Sequence, residues 1–166
     1  MKTLTAEQAM AKLQDLCARA ELSTGEALEK LRRWGVAGRM AEQVVQTLVD
    51  TRFIDDGRFA RAFVRDRYLY SRWGRLKISQ ALRLKRVDRE YIDEALDEEI
   101  DPQVYEANLV ALLRAKLRQL PDNDDEYTIC GKLMRFAAGR GFEPSLIMRV
   151  VESGALGDDS DAAQTY

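Results

Sequence analysis

No histidine occurs among the 166 residues. That excludes Ser–His and Cys–His nucleophilic catalysis and imidazole-based metal centres. An enzyme on this chain would need carboxylates, lysine or a metal held only by oxygen. Cysteine is nearly absent too. Cys17 and Cys130 are too few for a disulfide framework or a zinc cage. Each sits in an apolar helical pattern, which suits a small buried side chain. Proline occurs at 102, 121 and 144 only, so no proline breaks a helix in the first hundred residues. No apolar run approaches the length that spans a bilayer, so no membrane partner is expected. The opening MKTLTAEQAM holds a glutamate where a signal peptide needs its apolar stretch. A cytoplasmic protein is therefore expected.

Helical spacing fills the chain, and no period-2 stretch persists. With 46% hydrophobic and 33% charged residues the chain suits a folded all-α protein. Thr5 with Gln8, and Ser23 with Glu26, have capping-box spacing. The first stripe runs through Ala9, Leu13, Leu16, Cys17 and Ala20, the second through Leu28 and Leu31, the third through Met40, Val44, Val45 and Leu48. Asp55 caps a helix expected to reach about Ser71. Gly74 opens the next, with Ile78, Ala81 and Leu82 inward, and Asp88 caps another through Ile92, Ala95 and Leu96. Asp101-Pro102 places a cap before proline at the first helical position. Leu109, Leu112, Leu113 and Leu120, then Ile129, Leu133 and Phe136, then Ile147, Val150 and Val151 mark the last three helices. Val36, Val87 and Phe142 stand at corresponding joins, 51 and 55 residues apart. Such a period predicts three tandem three-helix repeats in an elongated molecule. Their expected bounds are 5–54, 55–100 and 101–153, followed by a disordered tail over 154–166.

The net charge of −2 conceals a strong asymmetry. Residues 52–89 carry 12 basic and 4 acidic groups, whereas residues 90–166 carry 7 and 17. A basic centre suits a polyanion or an acidic protein surface, and an acidic end repels one. Ten of the twelve central cations are arginine, which forks two hydrogen bonds onto phosphate or carboxylate. On one helix, Arg58, Arg61, Arg65, Tyr68 and Arg72 would share an arc of roughly 80°. Phe59, Phe63 and Tyr70 would form the separate core stripe. Arg75, Lys77, Arg83, Lys85, Arg86 and Arg89 extend the charge. Tyr68, Tyr70 and Trp73 offer stacking surfaces for unpaired bases. The same arginines also have an internal use: pairing with the acidic last third. Adjacent Asp55-Asp56 suits a helix start better than a metal or an acid–base pair. No catalytic constellation and no cofactor are expected. From charge and pattern alone, an autonomous helical DNA-binding protein and a protein-only helical adaptor both remain open.

Three stretches together resemble the RecX family, bacterial regulators of the RecA recombinase. Arg19-Ala20-Glu21-Leu22-Ser23-Thr24-Gly25-Glu26-Ala27-Leu28-Glu29-Lys30-Leu31, with Gly35-Val36, is similar to the family's opening pattern. Phe53-Ile54-Asp55-Asp56, then Phe59-Ala60 and the following arginines, is similar to its most specific signature. Trp73-Gly74, Ile78, Leu82 and Val87 continue that match, and Lys132-Leu133, Arg140-Gly141-Phe142 and Ile147 resemble its third unit. Two departures stand out: Arg86 replaces a frequent glycine, and Ala27 separates Glu26 from Leu28. The resemblance implies tandem three-helix repeats in a curved, elongated molecule, and no catalytic residue. It also implies binding along the groove of the RecA–single-stranded DNA filament, with ATP hydrolysis and strand exchange blocked and filament growth limited. A monomer is expected. Whether the basic ridge meets DNA, RecA or both is open.

Overall fold

The computed structural model describes residues 3–157. They form nine helices and no strand: α1 Ala6–Arg19, α2 Thr24–Arg33, α3 Gly38–Asp50, α4 Asp56–Leu69, α5 Arg75–Leu84, α6 Arg89–Glu99, α7 Pro102–Gln119, α8 Glu126–Gly139 and α9 Pro144–Glu152. The chain divides into two compact units. One comprises Met1–Arg65 and Ser79–Glu99, the other Asp66–Ile78 and Ile100–Tyr166.

In the first unit, α1, α2 and α3 enclose Leu13, Ala27, Leu31, Val44, Val45 and Leu48. Burial of the leucines and valines among them contributes roughly 1.5–3 kcal/mol each. Both predicted capping boxes are present. Thr5 Oγ1 accepts the Gln8 N–H at 3.2 Å, and Ser23 Oγ accepts the Glu26 N–H at 3.1 Å. Ser23 is fully buried, and its hydroxyl also donates to the Lys85 carbonyl at 3.2 Å. Gly25 lies against that same turn: a Cβ there would stand 2.1 Å from the Lys85 oxygen. The adjacent aspartates have separate structural duties. Asp55 Oδ1 accepts the Arg58 N–H at 2.9 Å and starts α4; Asp56 Oδ1 accepts the Thr24 N–H at 2.8 Å and steadies the start of α2.

In the second unit, α7, α8 and α9 enclose Tyr105, Leu109, Leu113, Leu133, Phe142 and Ile147. Asp101 Oδ1 accepts the N–H of Gln103 and Val104 ahead of Pro102, and Asp125 Oδ1 accepts the Thr128 N–H. The start of α5 meets the α8–α9 turn through main chain. The Gly74 N–H donates to the Arg140 carbonyl at 2.8 Å, and the Leu76 N–H donates to the Gly141 carbonyl at 3.0 Å. A Cβ on Gly74 would lie 2.1 Å from the Gly141 carbonyl carbon, so only glycine fits.

The three joins share one backbone design. The N–H groups of Val36, Val87 and Phe142 each reach back five residues, to the carbonyls of Leu31, Leu82 and Ala137. The residue before each is left-handed: Gly35 at φ +81°, Arg86 at +60° and Gly141 at +93°. This is the Schellman turn, made three times at corresponding positions.

Some expectations need correction. α4 stops at Leu69 rather than near Ser71, because Arg72 turns left-handed at φ +53° and the Trp73 N–H returns to the Arg67 carbonyl. Tyr70, past the helix end, is 82% exposed and not in the core. Met40, in the first turn of α3, is 54% exposed. Cys17 and Cys130 are half-buried rather than enclosed. Residues 154–157 are turn, and Arg114 donates twice to the Ala155 carbonyl, at 3.1 and 2.6 Å. The rest of the expected tail, residues 158–166, lies outside the described residues.

Candidate polyanion-binding surface

The two units divide the candidate residues. Arg58, Arg61, Arg65, Arg83, Lys85 and Arg86 belong to the first, and Tyr68, Arg72, Arg75 and Lys77 to the second. In the first unit α4 sets Arg58, Arg61 and Arg65 along one side by helical spacing. Arg58 is turned inward to other work. Its Nε meets Glu21 Oε1 at 2.6 Å, and its Nη2 donates to the carbonyls of Arg52 and Phe53 at 3.3 Å each. It thereby ties the α1–α2 linker and the α3–α4 turn to the start of α4. The Glu21 hydrogen bond raises its pKa further above the usual guanidinium value.

Arg65 forms a two-pronged pair with Glu99, Nε and Nη2 each at 3.0 Å from a carboxylate oxygen. That hydrogen-bonded pair holds the Glu99 carboxyl below its ordinary pKa, with a smaller lowering from the charge of Arg61. Lys85 Nζ reaches Glu26 Oε1 at 2.6 Å. Arg61 is half-buried, while Arg83 and Arg86 are exposed.

In the second unit Tyr68 is buried at 6% exposure, so it offers no stacking face. Arg72 lies beyond α4, exposed and left-handed. Arg75 pairs with Glu143 Oε2 at 2.8 Å and covers the Tyr105 ring at 4.0 Å. The Tyr105 hydroxyl donates to the Glu143 carboxylate and accepts the Arg75 N–H. Burial first, then the hydrogen bond to Glu143, pushes its pKa well above the ordinary phenol value. Trp73 is flanked by Arg67 at 4.9 Å and Lys77 Nζ at 4.4 Å from its ring centre. Those cations occupy the indole, worth about 0.5–1 kcal/mol each at a partly exposed site.

The expected ridge of outward, unpaired arginines is therefore not what forms. Arg58, Arg65, Arg75 and Lys85 are held by carboxylates, Tyr68 is buried, and Arg72 is off the helix. Glu99 and Glu143 come from the acidic last part, as internal pairing would predict. Glu21 and Glu26 come from the neutral first part, which sequence reasoning passed over. Of the expected site cations, Arg72, Arg83 and Arg86 are exposed, and Arg61 and Lys77 are half-buried, Lys77 over the Trp73 ring. Arg52 was missed: it is exposed at φ +63° in the α3–α4 turn. Its one sequence signal was its place at the head of the basic block. It shares a concavity in the first unit with Arg58, Arg86, Tyr91, Asp55, Asp56 and Asp88. Three aspartates there offset three arginines, so that hollow does not favour an anion. Among the described residues no group of His, Cys, Asp or Glu is arranged to hold a metal ion. No helix among them is long and apolar enough to cross a membrane.

The fold and its surface define a class: an all-helical protein of repeated three-helix units, with cations at its surface. Residues 55–96 match the model of the second three-helix domain of RecX, and residues 104–151 that of the third. The chain belongs to the RecX family. It is 33% identical over 138 residues to the regulatory protein RecX of Mycolicibacterium smegmatis, covering 80% of this chain and 69% of the relative. With that of Mycolicibacterium vanbaalenii it shares 34% identity over 155 residues, 90% of this chain and 83% of the relative. The crystal structure of RecX from Lactobacillus salivarius superposes with a TM-score of 0.77 at 20% identity, covering 89% of this chain and 95% of that one. A crystal structure of regulatory protein RecX gives the same TM-score at 22% identity, covering 89% and 73%.

Proposed function

We propose that the protein is a non-enzymatic inhibitor of a RecA-type recombinase. It acts in the cytoplasm as a monomer. It lies in the groove of the RecA–single-stranded DNA filament, where it blocks ATP hydrolysis and strand exchange and limits filament growth. Its contact modules are three-helix repeats over 5–54, 55–100 and 101–153. Family membership carries this reading. Arg52, Arg61, Arg72, Lys77, Arg83 and Arg86 support it, because guanidinium and ammonium groups at a surface bind phosphate or carboxylate. The acidic last third works against tight binding to bare duplex DNA.

The test is ATP hydrolysis by RecA on single-stranded DNA with the protein titrated in. The wild type should inhibit. Joint replacement of Arg61, Arg83 and Arg86 by Glu should abolish inhibition while the chain stays folded, since among the described residues those side chains form no ion pair. Full inhibition by the folded triple variant would overturn the assignment of these contacts.

The four internal ion pairs favour a second reading, a helical adaptor that binds protein alone. It predicts no affinity for single-stranded DNA without RecA. Tight binding with a steep salt slope would instead support an autonomous DNA-binding protein.

A further inference from the structure

The strongest unexplained feature of the first unit is the Arg65–Glu99 pair. Its two bonds are both 3.0 Å, yet the partners differ in exposure: the arginine side chain is 57% exposed and the glutamate 18%. The other two cations of this unit that pair with carboxylates distant in sequence are more enclosed, Arg58 at 40% and Lys85 at 33%. Arg58 also has two backbone carbonyls to hold. Arg65 has the most open guanidinium of the three, and Glu99, at the end of α6, is fixed beneath it. We propose that Glu99 is a built-in competitor, occupying Arg65 so that a phosphate chain must displace it to bind.

The proposal rests on the reading that α4 contacts a polyanion. A pair with one partner this open to water contributes little, so a phosphate can replace the carboxylate at small cost. The replacement also conserves geometry, because both anions accept the same planar fork. Glu99 would then set a threshold. A lone strand meets a partly neutralised helix, whereas a partner making many contacts offsets the displacement once. The residue would thus determine selectivity without touching the ligand.

The experiment measures binding of a fluorescein-labelled oligothymidylate to the full chain over a range of sodium chloride concentrations. The variants are Glu99→Gln, Arg65→Gln, their combination, and Glu98→Gln, which removes an equal charge from the exposed neighbouring position. Glutamine keeps the shape of Glu99, and a thermal melt of each variant checks folding. Glu99→Gln should tighten binding about two- to fivefold, the equivalent of losing one exposed pair. It should also steepen the logarithmic salt slope by about 0.7, one further phosphate contact on a single strand. Arg65→Gln should weaken binding, and in that background the gain from Glu99→Gln should largely vanish. If Arg65→Gln weakens binding but Glu99→Gln does not strengthen it, the competitor is refuted and the contact reading stands. If Arg65→Gln changes nothing, the contact by Arg65 fails, and the competitor with it. An equal gain from Glu98→Gln, or a full gain without Arg65, would reduce the effect to net charge and refute the proposal.

Discussion

Replacing Arg86 by glycine should make the protein more stable, although it deletes the whole side chain. Arg86 is the C-terminal left-handed residue of the second Schellman turn, at φ +60°, where the other two turns use Gly35 and Gly141. That conformation costs a residue bearing a Cβ roughly 1–2 kcal/mol. Glycine's greater freedom in the unfolded chain returns roughly 0.5–1 kcal/mol of this. A net gain of about 1 kcal/mol remains. Among the described residues the Arg86 guanidinium has no ion-pair partner whose loss would offset the gain. Nearby packing is permissive too: a Cβ on Gly25 would lie 2.9 Å from the Arg86 Cβ, so this crossing is tight and loses nothing from a smaller residue. For a chain of this length the midpoint of thermal unfolding should rise by about 2–4 °C. Circular dichroism melts and urea titrations of Arg86→Gly and wild type measure both quantities. The reverse change at the third turn is the contrast. Gly141→Ala faces φ +93°, and its Cβ would stand 2.5 Å from the Lys77 nitrogen. It should lose about 3 kcal/mol or more. An unchanged or lower midpoint for Arg86→Gly would refute the strain argument.

Other outcomes follow from the second unit. Tyr105→Phe should cost about 1–3 kcal/mol, because the Glu143 carboxylate and the Arg75 N–H both lose a buried partner. The raised phenol pKa means that folding favours the neutral form. Its stabilisation is present below the unfolded value of about 10 and disappears as the pH rises through the folded one. Wild type should therefore lose stability in strong alkali more steeply than Tyr105→Phe, as urea titrations across that range would show. Gly74→Ala would place a Cβ 2.2 Å from the Gly141 oxygen and from the Phe142 nitrogen. It should unfold at markedly lower urea than wild type, with a loss above about 3 kcal/mol.

Local chemistry was legible in the sequence. The capping pairs Thr5–Gln8 and Ser23–Glu26, the Asp101-Pro102 start and the three joins each depend on residues within five positions of one another. Helix spacing and inward faces followed for the same reason, and the all-α repeat fold with them. What was not legible was long-range. Glu21, Glu99, Glu26 and Glu143 find Arg58, Arg65, Lys85 and Arg75 across 37, 34, 59 and 68 residues. No periodicity encodes such a pairing; it depends on which turns the folded units bring together. The end of α4 was misplaced because no glycine or proline marks it. Arginine takes the left-handed position there, a role for which its type gives no sign. Trp73 is the remaining case: its place before Gly74 at a helix junction suits packing as well as stacking on bases, and Arg67 and Lys77 lie on its ring.

The meeting of Gly74 with Gly141 is made of main chain on both sides. Peptide groups have no rotamers to absorb a displacement, so this seam has almost no slack. A shift of the α8–α9 turn by even a fraction of an ångström passes undiminished to the first residues of α5, which carry Arg75 and Lys77. Two positions without side chains thereby govern where two cationic side chains stand.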